Sequence, residues 1–444
     1  MLSTDDNALI TQTDPGTPMG VYFRRFWLPA LLSEELPKPD CPPVQIPLLG
    51  ERLVAFRDSS GNVGLLEARC PHRHANLFWG RCEEGGIRCV YHGWKFSISG
   101  ECLDQPAEPE NSKFKEHVRA IAYETHEAGG IIWAYLGPKD KKPEFPEFEF
   151  TVLPSSHSRA TKRLQECNYL QNLEGELDSA HAEILHREIM PGESMMPPAS
   201  LVRPTYFIAE TESGMLAVAR RDDAKHSYWR ITPFLMPVYT VIPSAIGATK
   251  ILTAAVPRDD RNMWGFTVSW NPDRPLDDVD IEAVTSGSVS HVRIQEGSFR
   301  SVANASNSYL IDRELQRTSS FTGIPGIRYQ DLAVQEDQDG PILRRDEENL
   351  GVTDQAIRAL RQMLLSGAKN LQMDIDPPQV KNVSAYKVRS VVVRESPLEG
   401  GWLDIWESGQ PDSVKREMSD WKRTQIALDR SGVADIESAS PVFG

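Results

Sequence analysis

Two short stretches carry the residues best suited to chemistry: Cys70-Pro-His72 and, beyond residues 73–88, Cys89-Val-Tyr-His92. Each brings one thiolate and one imidazole. Structural zinc sites are more often assembled from Cys-x-x-Cys halves, whereas one thiolate and one imidazole per loop matches a [2Fe–2S] cluster in which two histidines replace two cysteines on one iron. The chemistry of such a centre is one-electron transfer. Pro71 and Gly93 favour turns, and Trp94 and Phe96 are large enough to keep water away from a cluster. Structural zinc is the competing reading; it would leave the protein colourless and without inorganic sulfide.

A second constellation reads Glu174-x3-Asp178-x2-His181-x4-His186. Two imidazoles close in sequence, completed by a carboxylate from elsewhere, make the facial triad that holds Fe(II) and leaves positions open for dioxygen and substrate. Residues five apart lie about 140° around a regular α-helix. His181 and His186 can therefore share an ion only across a π-bulge, or where the helix ends and His186 comes from the following turn. Asp178, three residues before His181 and on the same helix face, is placed to accept the imidazole N–H and fix its tautomer. Glu174 has no catalytic part in this reading.

These residues need elements to hold them. From Val44 to Leu136 short strands alternate with turns, including a Ser-Ser-Gly-Asn hairpin signal at 59–62, which implies a small antiparallel β domain around the two ligand loops. Residues 139–150, charged and proline-bearing, read as a connection to a second unit. There a helical stretch from Asn168 to Ile189 precedes strand patterns between Ser200 and Asn271, enough for a large antiparallel sheet. Residues 353–370 return to helix, with Thr353 as N-cap, Ile357, Leu360 and Leu364 on one face, and Gly367 closing the C-terminus. The fold class is α+β, divided into a segment 1–34 packing on the body, a cluster domain 35–142 and a catalytic domain 143–444.

Composition narrows the partners. The chain has 444 residues, room for two domains, with 40% apolar and 25% charged residues as in ordinary globular proteins. A net charge of −15 disfavours nucleic acid and anionic membrane surfaces. Six cysteines in so long a chain are no disulfide framework; Cys41, Cys82, Cys102 and Cys167 read as ordinary small residues, and a reducing cytoplasm fits. No secretory signal is visible at the N-terminus. The uncharged run Ile231–Thr249 is interrupted by Pro233, Pro237 and Pro243, a pattern of strands and turns and not of a membrane span.

The words CPHR and CVYHGW resemble the two halves of a Rieske box, and with EGELDSAHAEILH downstream the chain resembles the large subunit of Rieske non-haem iron aromatic-ring-hydroxylating oxygenases. LTQTDPGTPMG, QNLEGELDSAH and QDLAVQEDQDGPILRRDEENLGVTDQAI look most like phthalate 4,5-dioxygenase-type members. The resemblance implies a Rieske β-sandwich domain and a helix-grip-like catalytic domain whose large antiparallel sheet is covered by helices. It implies cluster ligands Cys70, His72, Cys89 and His92, and iron ligands His181, His186 and Asp331, the last amid the nearby acids Glu336, Asp337 and Asp339. Asp178 would match the family's bridge across a subunit boundary to a cluster imidazole, here His92, so a homotrimer or stacked trimers are implied. His74 stands where many relatives have Gly. The loops lack the extra cysteine pair of respiratory Rieske proteins, which points to the low-potential type.

The implied activity is that of a terminal oxygenase using O2, and electrons from an FMN/[2Fe–2S] reductase, for cis-dihydroxylation of a small aromatic acid. Monohydroxylation or O-demethylation of a substituted benzoate, sulfobenzoate or diaryl ether is the alternative. An electron-transfer protein without oxygenase activity would need about a quarter of this length and no His181/His186 pair. For the substrate's acid group, Ser179, Arg203, Arg220 and Arg230 are candidates, with Arg221 beside them on the same predicted sheet.

Overall fold

The computed structural model describes residues 2–415, apart from Gly192, Met195, Pro197, Pro198, Ala224, Ser288, residues 396–400 and Ser413. Ten strands precede the connection near residue 140: β1 Trp27–Leu32, β2 Val44–Leu48, β3 Glu51–Arg57, β4 Val63–Glu67, β5 Arg81–Glu83, β6 Gly86–Arg88, β7 Lys95–Phe96, β8 Cys102–Asp104, β9 Ala122–Ala128 and β10 Ile131–Tyr135. Six form an antiparallel sheet in the order β1-β10-β9-β4-β3-β2, and β5 to β8 form a smaller one. The Ser-Ser-Gly-Asn signal does join β3 to β4. β1 pairs with β10 through Trp27↔Tyr135 and Leu32↔Ile131, so residues 27–32 belong to this sheet and not to a segment lying on it. Every residue of β1 and β10 is buried, as expected for strands covered on both faces.

The remaining strands are β11 Ser158–Gln165, β12 Thr205–Glu210, β13 Gly214–Asp222, β14 Ser227–Leu235, β15 Tyr239–Ile242, β16 Lys250–Pro257, β17 Met263–Trp270 and β18 Val391–Glu395. They build an eight-stranded antiparallel sheet in the order β11-β17-β16-β15-β14-β13-β12, with β18 on β14. The proline-interrupted run 231–249 is thus divided between β14, β15 and their turns. Helices are α1 Thr4–Thr11, α2 Pro18–Phe23, α3 Tyr169–Leu177, α4 Ala182–Leu185, α5 Ala199–Val202, α6 Asp278–Ser286, α7 Arg313–Thr318, α8 Ile327–Glu336, α9 Gln355–Gln372 and α10 Trp402–Ser408. Among the described residues no helix is long and apolar enough to cross a membrane.

One large core joins the two halves. Trp27 and Trp133 from the first, with Phe148 of the connection, pack with Tyr239, Phe266 and Trp270 of the large sheet. Lys162 Nζ, 1% exposed, pairs with Glu35 at 3.0 Å across the same seam. A second, smaller core of Val54, Phe56, Leu66, Ile87, Trp94 and Phe96 encloses Cys70 and Cys89.

α9 runs through Gly367 instead of ending there. A Cβ at Gly367 would lie 2.5 Å from Tyr22 Cζ, so the glycine serves the close approach of α2 and α9. Thr353 lies in a short 3₁₀ turn, Val352–Asp354, and Asp354 takes the N-cap position of α9 without a side-chain hydrogen bond. At Gly367 the local stop signal lost to tertiary packing.

Glu174, inside α3, anchors that helix. Its two oxygens accept from Arg345 Nε and Nη2, each at 2.9 Å, and from Arg361 Nε at 2.7 Å. Burial alone would raise the Glu174 carboxyl, but the two guanidinium groups hold it below its usual value. Glu174→Ala should therefore leave two buried cations without their shared anion and cost about 3–5 kcal/mol. Urea denaturation followed by tryptophan fluorescence measures it.

Candidate metal centres

The two cluster loops share one hydrogen-bond pattern. Cys70 N donates to Ala75 O at 2.8 Å while Cys70 O accepts from His74 N at 2.9 Å; Cys89 N donates to Trp94 O at 2.8 Å and Cys89 O accepts from Gly93 N at 2.9 Å. The fifth residue of each loop is left-handed, His74 at φ 60° and Gly93 at φ 77°. His74 thus occupies a backbone position that favours glycine. Backbone N–H groups of His72 and Arg73 point at the Cys70 sulfur, and those of Tyr91 and His92 at the Cys89 sulfur. The two thiols are hydrogen-bonded to each other: this contact and burial push Cys70 up, while the bond from Cys70 brings Cys89 down to about 6.

The imidazoles complete the cradle. His72 and His92 ring centroids are 4.4 Å apart, and His72 stacks on Trp94 at 4.3 Å. His92 Nδ1 is buried without a hydrogen-bond partner. Such an atom fits a metal ligand, since a buried polar group left unpaired is costly. Two sulfurs with N–H donors and two clustered imidazoles therefore fit a [2Fe–2S] group of the mixed Cys/His type. Trp79, Val90, Tyr91 and Phe114 are exposed apolar residues on and near these loops.

The second site forms where a helix breaks. α3 ends at Leu177 with Asp178 as its C-cap, φ −75° and ψ 100°. A turn follows, and the single-turn α4 has His181 at its N-cap and His186 at its C-cap. The spacing problem is solved by ending one helix and starting another. Asp178 and His181 consequently do not share a regular helix face; they meet across the turn, Oδ2 to Nδ1 at 3.5 Å. Asp178 Oδ1 also accepts from Ala180 N at 2.7 Å, which fixes the turn.

Asp331, buried in α8, closes the site. Its Oδ1 lies 3.5 Å from His181 Nε2 and 3.3 Å from His186 Nε2, and it has no hydrogen-bond partner. One ligand atom from each of His181, His186 and Asp331 falls within 4.8 Å of the others. His186 Nδ1 is bound to Gln330 Oε1 at 2.8 Å. As an N–H donor there, it turns the Nε2 lone pair to the common point. Burial would raise Asp331, but the two imidazoles and Arg328 hold it far below its usual range. Burial would lower His181, but Asp178 and Asp331 overturn this and push it up to about 10. A metal entering the site displaces that proton, and a bare carboxylate oxygen facing two imidazoles fits Fe(II). Glu336 is engaged elsewhere, accepting from Tyr309 Oη at 2.6 Å, and Asp339 pairs with Arg344.

Strand alternation sorts the arginines. Arg220 lies opposite Trp229, its guanidinium 5.1 Å over that ring and 2.8 Å from Asp222, on the sheet face away from α3. Arg220, expected as a substrate residue, is thus engaged with Trp229 and Asp222 on the face opposite to Arg221. Arg221 points the other way, buried, and donates to Ser179 O at 2.6 Å, Ser179 Oγ at 3.2 Å and Leu201 O at 2.6 Å. Ser179 is thereby committed to holding the turn between Asp178 and His181. Arg203 is exposed on the loop before β12. Arg230 and Tyr206 flank Ala219 on the Arg221 face, and both Arg230 Nε and Tyr206 Oη are buried without a partner. Gln330, Arg328 and Tyr206 escaped the sequence reading. The first two stand one and three residues before Asp331 and become legible only once that aspartate is placed in a helix.

Residues 26–120 match the Rieske [2Fe-2S] domain family, and residues 134–391 match the family described as LigXa C-terminal domain like. The chain is 37% identical over 409 residues to the 3-chlorobenzoate-3,4-dioxygenase oxygenase subunit of Comamonas testosteroni, covering 87% of this chain and 93% of that one. It is 34% identical over 390 residues to the phthalate 4,5-dioxygenase oxygenase subunit of Pseudomonas putida, covering 84% and 87%. The crystal structure of dicamba monooxygenase bound to dicamba superposes with a TM-score of 0.58 at 16% identity, covering 80% of this chain and 99% of that one.

Gln330→Leu should free the His186 tautomer and lower Fe(II) affinity about 10–100-fold while leaving the cluster absorption intact. Anaerobic dialysis against a chelator, with iron counted against visible absorbance, checks it.

Proposed function

The chain belongs to the Rieske non-haem iron oxygenases, as a terminal oxygenase subunit, and from that premise we propose that it hydroxylates an aromatic carboxylate by cis-dihydroxylation. The observation that carries the site is the convergence of His181 Nε2 and His186 Nε2 on the bare Asp331 Oδ1, at 3.5 and 3.3 Å. The relatives at 37% and 34% identity are named for chlorobenzoate and phthalate, both aromatic acids.

Cys70, His72, Cys89 and His92 hold the cluster, and His181, His186 and Asp331 hold ferrous iron. When bound, the two groups supply electron delivery and dioxygen activation. The chain's own residues do the rest. Gln330 and Asp178 each hold an imidazole N–H and so aim the two Nε2 atoms. Arg221 holds Ser179 and with it the turn that carries Asp178 and His181. Arg230, with its unpartnered Nε, and Tyr206, with its unpartnered hydroxyl, suit the substrate carboxylate, since guanidinium is matched to carboxylate geometry and a buried donor gains from a partner.

The Asp178 side chain is 23% exposed, and His72 and His92 lie in half-buried loops bordered by exposed apolar residues. This arrangement supports a homotrimer, stacked or single, in which Asp178 meets His92 of a neighbour and carries the electron path between subunits. The electron donor is a separate FMN/[2Fe–2S] reductase in the cytoplasm.

Substrate-dependent oxygen uptake with a compatible reductase, screened over phthalate, chlorobenzoates, sulfobenzoate and phenoxybenzoate, tests the activity. Product analysis separates a diol from a single hydroxyl or a demethylated ring. Uptake with neutral aromatics alone would refute the acid substrate. Asp178→Asn should retain both metals and lose turnover by about two orders of magnitude or more, as expected for removal of an outer partner of a metal ligand; unchanged turnover would remove the bridge.

A further inference from the structure

The two oxygens of Asp331 are not equivalent. Oδ1 faces the two imidazole nitrogens and accepts no hydrogen bond. Oδ2 lies 3.4 Å from Arg328 Nη1, one helical turn earlier in α8. Arg328 is 3% exposed and cannot leave easily: its Nε donates to Ser290 O at 3.3 Å, and Nη1 also donates to Glu176 Oε1 on α3. Glu176 is itself buried, with a side-chain exposure of 5%.

We propose that Arg328 is a positioning residue that keeps Asp331 a one-oxygen ligand, holding Oδ2 in an ion pair so that only Oδ1 reaches the mononuclear metal. The inference rests on the iron site described under the proposed function. A carboxylate can bind a metal through one oxygen or two, and the choice decides how many positions stay open on the ion. Here the second oxygen can turn to the metal only by leaving a buried guanidinium with Glu176 alone, and separating a buried ion pair is costly. Glu176 in turn holds Arg328 from the helix that ends at Asp178. One ion-pair chain, Glu176–Arg328–Asp331, thus fixes the α3 end, which precedes the two histidines, relative to the third ligand.

Cobalt(II) placed in the mononuclear site of the otherwise intact protein gives a direct test, because absorption at the cobalt edge reports that ion and not the cluster irons. The wild-type protein should show the carboxylate bound through one oxygen. Arg328→Leu should gain one oxygen in the cobalt shell and weaken the visible d–d bands, while Arg328→Lys, which keeps the charge, should stay closer to wild type. Two-oxygen binding in the wild type would overturn the proposal, as would an unchanged cobalt shell in Arg328→Leu. If that variant fails to fold, Arg328→Gln, which removes the charge but keeps a polar side chain, takes its place with the same expected gain of one oxygen. Failure of wild type to bind cobalt or iron at His181, His186 and Asp331 would instead sink the iron-site reading itself.

Discussion

The catalytic half of the molecule is arranged around one buried carboxylate oxygen, Asp331 Oδ1, which sits 3.5 and 3.3 Å from two imidazole nitrogens and makes no hydrogen bond. An ionised oxygen in such a place is expensive unless a cation answers it. The neighbouring carboxylates push His181 toward its protonated form, which answers that charge in part, and a metal ion held by His181, His186 and Asp331 would answer it fully. The surrounding structure keeps the oxygen in place: α8 carries Asp331, Arg328 holds its other oxygen, and Glu176 ties Arg328 to α3. The break after Leu177 then lets the chain turn sharply enough for both histidines to face the same point.

The cluster site solves a different problem. Its two loops repeat one backbone pattern, so that each presents a sulfur ringed by N–H groups and an imidazole near the surface. The sulfurs lie in a small apolar core, where a low dielectric and N–H donors tune a redox centre. The imidazoles lie at the half-exposed edge, where a donor or a neighbouring subunit can approach. Burial of the sulfurs and exposure of the histidines divide the centre into a protected side and a contact side.

Much of this was legible in the sequence, for reasons that differ between elements. The cluster loops could be read because ligands and turn residues lie within a few positions of one another. The helix break near His181 followed from simple geometry, since five-residue spacing does not fit one helix face. Strand phase was harder. Arg220 and Arg221 are one residue apart, and a shift of one moves a side chain to the other face of the sheet, so no composition argument could choose between them. The C-terminus expected of α9 at Gly367 failed because Tyr22, more than 300 residues away in sequence, requires the glycine for its own packing. Glu176–Arg328 and Glu174–Arg345–Arg361 are long-range ion pairs that leave no local signal at all.

The most direct measurement is iron and acid-labile sulfide analysis of the purified protein, before and after mild anaerobic chelation. Iron in excess over sulfide is expected, with chelation removing the excess and leaving the visible cluster absorption unchanged. Equal iron and sulfide after anaerobic reconstitution with ferrous ion, or zinc with no sulfide, would contradict it.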